Sequence, residues 1–287
     1  MLTRTDTYLT GLIGAGIGTS LSPPLHEREA ASLGLRYTYR TLDIEQLREP
    51  VEELLARAVD AGYDGLNVTH PCKREVLSLL DELSPEAEAL GAVNTIVIRD
   101  GRTSGHNTDA TGFAASVRRG LPDAALERVV LLGAGGAGSA VAHALRELGC
   151  EELAIFDADA ERARALARAV GGSVLPRPAL DGFDGLVHAT PTGMEGHGGI
   201  ALDPDLLHPG MWVADIVYRP LETPLLRAAR ERGCRALHGG GMVVFQAADS
   251  FELFTGVRPD RERMLRHFAE LTGSGYSTAT RDSLTAP

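Results

Sequence analysis

Between residues 129 and 138 the chain passes from four apolar residues, Val129-Val130-Leu131-Leu132, into Gly133-Ala134-Gly135-Gly136-Ala137-Gly138, and from there into a helical pattern over 136–148. A buried strand, a G-x-G-x-x-G turn and a helix in direct succession confine this stretch to a βα unit that holds a dinucleotide. Gly133 permits the tight turn, Gly135 lets the backbone approach a pyrophosphate, and Gly138 lets the helix lie close to its strand. Ala134, Gly136 and Ala137 complete the turn, whose free helix-terminal amides meet the phosphates. The next apolar run ends at Asp157, about 20 residues on, where a carboxylate accepts hydrogen bonds from an adenosine ribose. That carboxylate favours NAD over NADP. A 2′-phosphate about 4 Å away would cost up to roughly 4 kcal/mol at an effective dielectric of about 20, less after solvent screening. Arg162 and Arg164 could oppose this by pairing with a phosphate, but they read as a solvated helix face.

With 287 residues, 44% of them hydrophobic and 23% charged, the chain has the composition of an ordinary globular protein and the length of two domains. Short apolar runs alternate with amphipathic segments, the pattern of an α/β fold with largely parallel sheets. Strands are expected at 9–13, 37–42, 65–68 and 94–98, with helices at 23–33, 45–61 and 73–80. A second series follows, with strands at 129–132, 153–156, 186–189 and 211–215 and helices at 136–148, 161–170 and 223–232. The expected architecture is an N-terminal α/β substrate domain over 1–109 and a Rossmann-type dinucleotide-binding domain over 110–242, with a cleft between them. Helices over 243–272 pack back on the first domain, and 273–287, rich in Ser, Thr and Gly, is expected as a disordered tail.

A net charge of −11 argues against nucleic acid or an acidic membrane as partner. The three cysteines form no CxxC pair and are too few for a disulfide framework, which fits a reducing cytoplasm. Residues 1–9 carry no signal-peptide core, and no apolar run reaches the roughly 20 residues of a membrane helix. No metal is expected, since the histidines form no HExxH or His/Cys cluster.

Three polar clusters stand at strand ends or loops of the first half. In Ser20-Leu21-Ser22-Pro23 two hydroxyls spaced by two could hold a carboxylate, or Ser22 could cap a helix starting at Pro23. In Asn67-Val68-Thr69-His70-Pro71-Cys72-Lys73 the lysine falls in the first turn of the expected helix. There its charge opposes the helix dipole, which suits a proton acceptor; the alternative is a solvated surface lysine beside Arg74. In Gly105-His106-Asn107-Thr108-Asp109 the aspartate could equally be an N-cap.

Taken together, these motifs resemble the shikimate and quinate dehydrogenase family along nearly the whole chain. The resemblance rests on Gly11-Leu12-Ile13-Gly14, the Ser20 and Asn67 clusters, Gly91-Ala92-Val93-Asn94-Thr95 and Asn107-Thr108-Asp109. It continues through the glycine turn, Ala189-Thr190-Pro191 with Gly193-Met194, Asp215-Ile216-Val217-Tyr218 with Pro220, and Gly241-Met242 with Gln246. It implies an NAD(P)-dependent oxidation of a ring hydroxyl to the 3-dehydro ketone, with Lys73 as base and Asp109 its partner. Ser20 and Ser22 would bind the substrate carboxylate, and Thr69, Asn94, Asp109, Tyr218 and Gln246 would position the ring. Thr190, Ile216, Gly239 and Met242 would join the glycine turn and Asp157 at the cofactor. Many NADP-using members carry Asn-Arg-Thr after the second strand, whereas this chain has Asp157-Ala158-Asp159, so NAD is the expected cofactor. Ser22 stands where quinate-active relatives often have threonine. His188 replaces a common asparagine and receives no role. The expected partner is a small cyclic hydroxy acid, with a homodimer left open as an assembly. Two other readings are an aminoshikimate-type dehydrogenase and a non-catalytic sensor of dinucleotide and shikimate.

Overall fold

A computed structural model describes residues 7–274; from 275 onward the expected tail lies outside the described residues. The first sheet comprises β1 (Thr7–Gly14), β2 (Arg36–Asp43), β3 (Gly65–Val68), β4 (Glu82–Leu83), β5 (Thr95–Arg99) and β6 (Arg102–His106), in the order β2-β1-β3-β5-β6-β4. Helices α1 (Ser22–Ser32), α2 (Ile44–Leu47), α3 (Val51–Asp60) and α4 (Pro85–Leu90) lie between these strands. β1 runs parallel to β2 and β3, but β5 is antiparallel to both β3 and β6. This sheet is therefore mixed rather than largely parallel. Between β5 and β6, Asp100 and Gly101, both at positive φ (52° and 77°), turn the chain back between the paired residues Arg99 and Arg102. Asp-Gly is a strong hairpin signal, which marks this turn in the sequence itself.

The second sheet contains β7 (Arg128–Leu132), β8 (Glu152–Phe156), β9 (Ser173–Val174), β10 (Gly185–His188), β11 (Trp212–Asp215) and β12 (Arg235–His238), ordered β12-β11-β10-β7-β8-β9. All its pairings are parallel. From β7 the chain steps outward to β8 and β9, then returns to β10 on the other side of β7. That reversal is the switch point at which doubly wound sheets open a crevice at their carboxyl ends. Side chains alternate between the two faces. Val129, Leu131 and Val187 pack into one buried cluster, and Val130, Leu132 and Leu186 into another. Burial on both sides explains why these strands read as unbroken apolar runs.

Helix α5 (Asp109–Gly120) joins the two sheets, and α6 (Gly136–Glu147), α7 (Ala160–Val170) and α8 (Pro224–Glu231) serve the second. The closing helices are α9 (Gly240–Thr255) and α10 (Arg261–Thr272). α9 starts ahead of residue 243 and lies along α5, reaching β1 and β5, while α10 packs on α9 and α1. Among the described residues, no helix is long and apolar enough to cross a membrane, and no group of His, Cys, Asp and Glu could hold a metal ion.

Candidate active site

At the end of β3 the chain turns out of the sheet through Thr69, whose amide donates to the Ile13 carbonyl at 2.9 Å. Lys73 lies in this turn, before a 3-10 helix over Glu75–Leu79. The expected α-helix over 73–80 does not form, so the lysine does not sit in the first turn of a helix of its own. Its environment is set instead by a partner distant in sequence: Lys73 Nζ donates to Asp109 Oδ2 at 2.5 Å, with side-chain exposures of 18% and 8%. The lysine is thus not a solvated surface cation.

Asp109 is the first residue of α5, and the N-cap is Thr108 rather than Asp109. The other carboxylate oxygen, Oδ1, accepts from Asn94 Nδ2 at 2.9 Å. Asn94 Oδ1 in turn accepts from the Thr108 amide at 2.8 Å. A buried carboxylate is costly unless hydrogen-bonded, and here the lysine amine and the Asn94 amide satisfy it.

Two residues given no role in the sequence extend this network. Asn67 Nδ2 donates to the Asn94 carbonyl (3.3 Å) and to Thr95 Oγ1 (3.2 Å), while Asn67 Oδ1 accepts from the Tyr39 hydroxyl at 2.8 Å. Burial pushes the Tyr39 phenol well above the usual range, against the opposing influence of the nearby Ser22 side chain. Ser22 does not cap α1: the N-cap is Leu21, with no side-chain cap bond. The Ser22 amide donates to Ser20 Oγ at 3.2 Å, which holds the two half-buried serines together. A buried tyrosine requires a partner, but only tertiary folding brings Tyr39 to Ser22 and Asn67.

Tyr218 packs against the apolar cluster around Leu25, Val244 and Phe268, and burial raises its phenol against the opposing effect of Arg219. Gln246 Nε2 donates to the Val243 carbonyl on its own helix at 3.0 Å. Among the described residues no hydrogen bond joins either one, or the Thr69 side chain, to the Lys73 and Asp109 pair.

On the other lobe, Gly133 adopts φ 108°, and a Cβ on Gly138 would sit 2.1 Å from the Gly133 carbonyl oxygen. Only glycine fits either position. A Cβ on Gly135 would meet nothing within 4 Å, so the space beside the turn is open to a ligand. The first amides of α6, from Gly136, Ala137 and Gly138, have no carbonyl one turn earlier to bond. Thr190 packs its methyl group against Gly133, and Gly239 comes within a methyl group's reach of the Ile216 carbonyl. Met242 is buried near the start of α9.

Asp157 bridges the turn and a neighbouring pocket. Its Oδ2 accepts from the Ala134 amide at 2.7 Å, and its Oδ1 from the Asp159 amide at 2.8 Å. The adjoining pocket, about 530 Å³, is lined by Phe156, Asp157, Ala158, Arg164, Val174 and Leu175 among others. Glycine turn, open amides, acidic strand end and apolar pocket together fit a dinucleotide. The two lobes meet at the chemistry: a Cβ on Gly136 would lie 3.9 Å from Lys73 Cδ. The lysine is therefore beside the mouth of the glycine turn.

Family models match in three blocks. They are the shikimate dehydrogenase substrate binding domain over residues 12–96, shikimate / quinate 5-dehydrogenase over 115–188, and the shikimate 5′-dehydrogenase C-terminal domain over 239–267. A shikimate dehydrogenase (NADP(+)) of Streptomyces avermitilis is 61% identical, covering 94% of this chain and 97% of its own. A quinate/shikimate dehydrogenase (NAD(+)) of Corynebacterium efficiens is 49% identical, covering 93% and 99%. The solved quinate dehydrogenase from Corynebacterium glutamicum in complex with NAD superposes with a TM-score of 0.86 at 45% identity, over 92% of this chain and 99% of that one. These likenesses span both lobes, and the chain belongs to the shikimate dehydrogenase family of NAD(P)-dependent oxidoreductases.

Proposed function

We propose that the protein catalyses the reversible NAD-linked oxidation of a ring hydroxyl of shikimate, or of shikimate and quinate, to the 3-dehydro ketone. The observation that carries this reading is the seating of Lys73 between Asp109 and the glycine turn. When bound, the nicotinamide supplies the hydride acceptor. Lys73 Nζ takes the hydroxyl proton, and Asp109 holds the amine on that hydroxyl while Asn94 holds Asp109 in place. Ser20 and Ser22 receive the substrate carboxylate, and Thr69, Asn94, Tyr218 and Gln246 orient the ring. Residues 1–109 thus act as the substrate lobe and 110–242 as the dinucleotide lobe, with 243–272 closing back on the first. Fixing both reactants across one cleft is itself a large part of the catalysis.

The preference for NAD rests on charge at the end of β8. Asp157 and Asp159 would meet a 2′-phosphate with like charge, and Arg162 and Arg164 are paired with acids on α7 or its cap. Arg162 pairs with Asp159 at 3.2 Å, and Arg164 with Glu161. The test is a panel of kcat/KM values for shikimate and quinate with NAD and with NADP. Turnover of either acid with NAD in preference to NADP is expected, and Asp157→Ala should erode that preference. Binding of acid and dinucleotide without a change in reduced-nicotinamide absorbance would overturn the catalytic reading, and a wild-type preference for NADP would overturn the cofactor assignment.

A further inference from the structure

Beyond β11 the chain leaves the second sheet and reaches the first lobe beside the serine pair. The Arg219 guanidinium donates through Nη1 to the carbonyl of Thr19, the residue before Ser20. On the other side of Ser20, Leu21 packs against the buried cluster around Leu25 of α1, and Tyr218 and Leu221 pack against that same cluster. Ser20 is thus bracketed by a single stretch of the opposite lobe. Both sides of the contact are braced. Asp215, buried at the end of β11, accepts from the Val217 amide at 3.0 Å and the Thr223 hydroxyl at 2.7 Å. The Arg219 carbonyl accepts from the Glu195 amide at 2.8 Å, and Arg219 Nε lies 3.9 Å from Glu195 Oε2. On the serine side, Ile17 is buried, its amide donates to Asp43 Oδ2 at 3.1 Å, and its carbonyl accepts from the Ser20 amide at 3.0 Å. Around that anchor the turn is open: a Cβ on Gly16 or Gly18 would meet nothing within 4 Å, and Thr19 is exposed.

A turn with so few neighbours is free to move, and ordering its backbone when a ligand arrives subtracts from the affinity. A hydrogen bond from a charged donor is stronger than one between neutral groups, and this one ends on the backbone next to Ser20. We propose that Arg219 is a positioning residue for the substrate carboxylate. By holding the Thr19 carbonyl from across the cleft, it fixes the Ser20 hydroxyl for the acid before the acid arrives. The guanidinium acts through Ser20 and on binding, whereas Lys73 and the glycine turn keep the proton and hydride steps. This rests on the reading of Ser20 and Ser22 as the carboxylate site of a shikimate or quinate dehydrogenase.

The test is steady-state kinetics with shikimate and with quinate at saturating NAD, alongside calorimetric titration of NAD and thermal melts of every variant. Arg219→Met keeps most of the stem and removes the donor. The KM of the acid should rise about fivefold to tenfold, the loss of one hydrogen bond, with kcat and NAD affinity each within about twofold of wild type. Arg219→Lys, whose ammonium can donate to the same carbonyl, should recover part of the loss. In a Ser20→Ala background Arg219→Met should add no more than about twofold, because the group it positions is already gone. Arg219→Gln, shorter and uncharged, carries the test if Arg219→Met proves unfolded. An acid KM within about twofold of wild type in Arg219→Met and Arg219→Gln would overturn the inference, as would equal weakening of NAD. An undiminished effect in the Ser20→Ala background would also overturn it, since the arginine would then act as a charge through space. Wild-type protein that oxidises neither acid would instead overturn the proposed function on which the inference rests.

Discussion

Lys73 owes its place to residues far along the chain. Its amine is held by Asp109, which Asn94 and the start of α5 hold in turn. Removing the amine should leave the glycine turn untouched while deleting the proton acceptor. Lys73→Ala is accordingly expected to lower kcat by at least about 100-fold with NAD affinity retained. Turnover within a few-fold of wild type would rule the lysine out as base. His26 is a second residue whose surroundings set its chemistry. It sits fully buried beside Tyr37, Tyr39, Phe251 and Phe254, and burial pushes its imidazole down to about 3. The unfolded chain, with an imidazole near its usual value of about 6.5, binds a proton that the fold rejects between those values. Stability should therefore fall as pH drops through that window, by about 2 kcal/mol at pH 5 from this group. Denaturant unfolding at pH 7 and pH 5 should show a steeper loss for wild type than for His26→Phe; parallel losses would refute the assignment.

At the scale of elements, the turn between β7 and α6 separates two uses of glycine. Gly138 is required by packing, because its Cβ would clash with the Gly133 carbonyl, whereas Gly135 faces open space. Gly138→Ala should lower the melting temperature and dinucleotide affinity together. Gly135→Ala should melt near wild type yet bind NAD at least about tenfold more weakly, because the methyl group occupies ligand space. A normal NAD affinity in Gly135→Ala would show that the backbone there does not approach the phosphates. The hairpin between β5 and β6 shows how an element can be missed. Its Asp100-Gly101 turn is in plain view and the strand before it is expected at 94–98, but β6, Arg102-Thr103-Ser104-Gly105-His106, holds no apolar run. For α4 the boundaries were likewise unmarked by apolar periodicity, although Ser84 caps it and Pro85 opens it.

Across the whole molecule, the C-terminal helices tie the end of the chain to its beginning. Glu29 of α1 is fully buried and accepts from Arg263 Nε (2.8 Å) and Nη2 (2.6 Å) of α10, and from the Asp260 amide at 2.7 Å. Arg263→Ala would leave that carboxylate buried without its cation, so a loss of about 3 kcal/mol in unfolding free energy is expected. The companion variant Glu29→Met with Arg263→Met, which removes both charges, should recover part of it. A loss below about 1 kcal/mol in Arg263→Ala would show that the tie contributes little.

The sequence by itself determined the α/β class, the glycine turn with its acidic partner at Asp157, and the candidate lysine. Each is a local pattern in which a few neighbouring residues state their own backbone and chemistry. Tertiary structure alone decided that the first sheet is mixed, that Lys73 lies in a turn rather than in the first turn of a helix, that Tyr39 and Asn67 join the Asn94 network, and that His188 joins Asp215 to Thr190. Those partners sit on different strands and loops. Which of them meet depends on strand order and register, and strand order follows from how two whole faces of a sheet are buried rather than from any short run of residues.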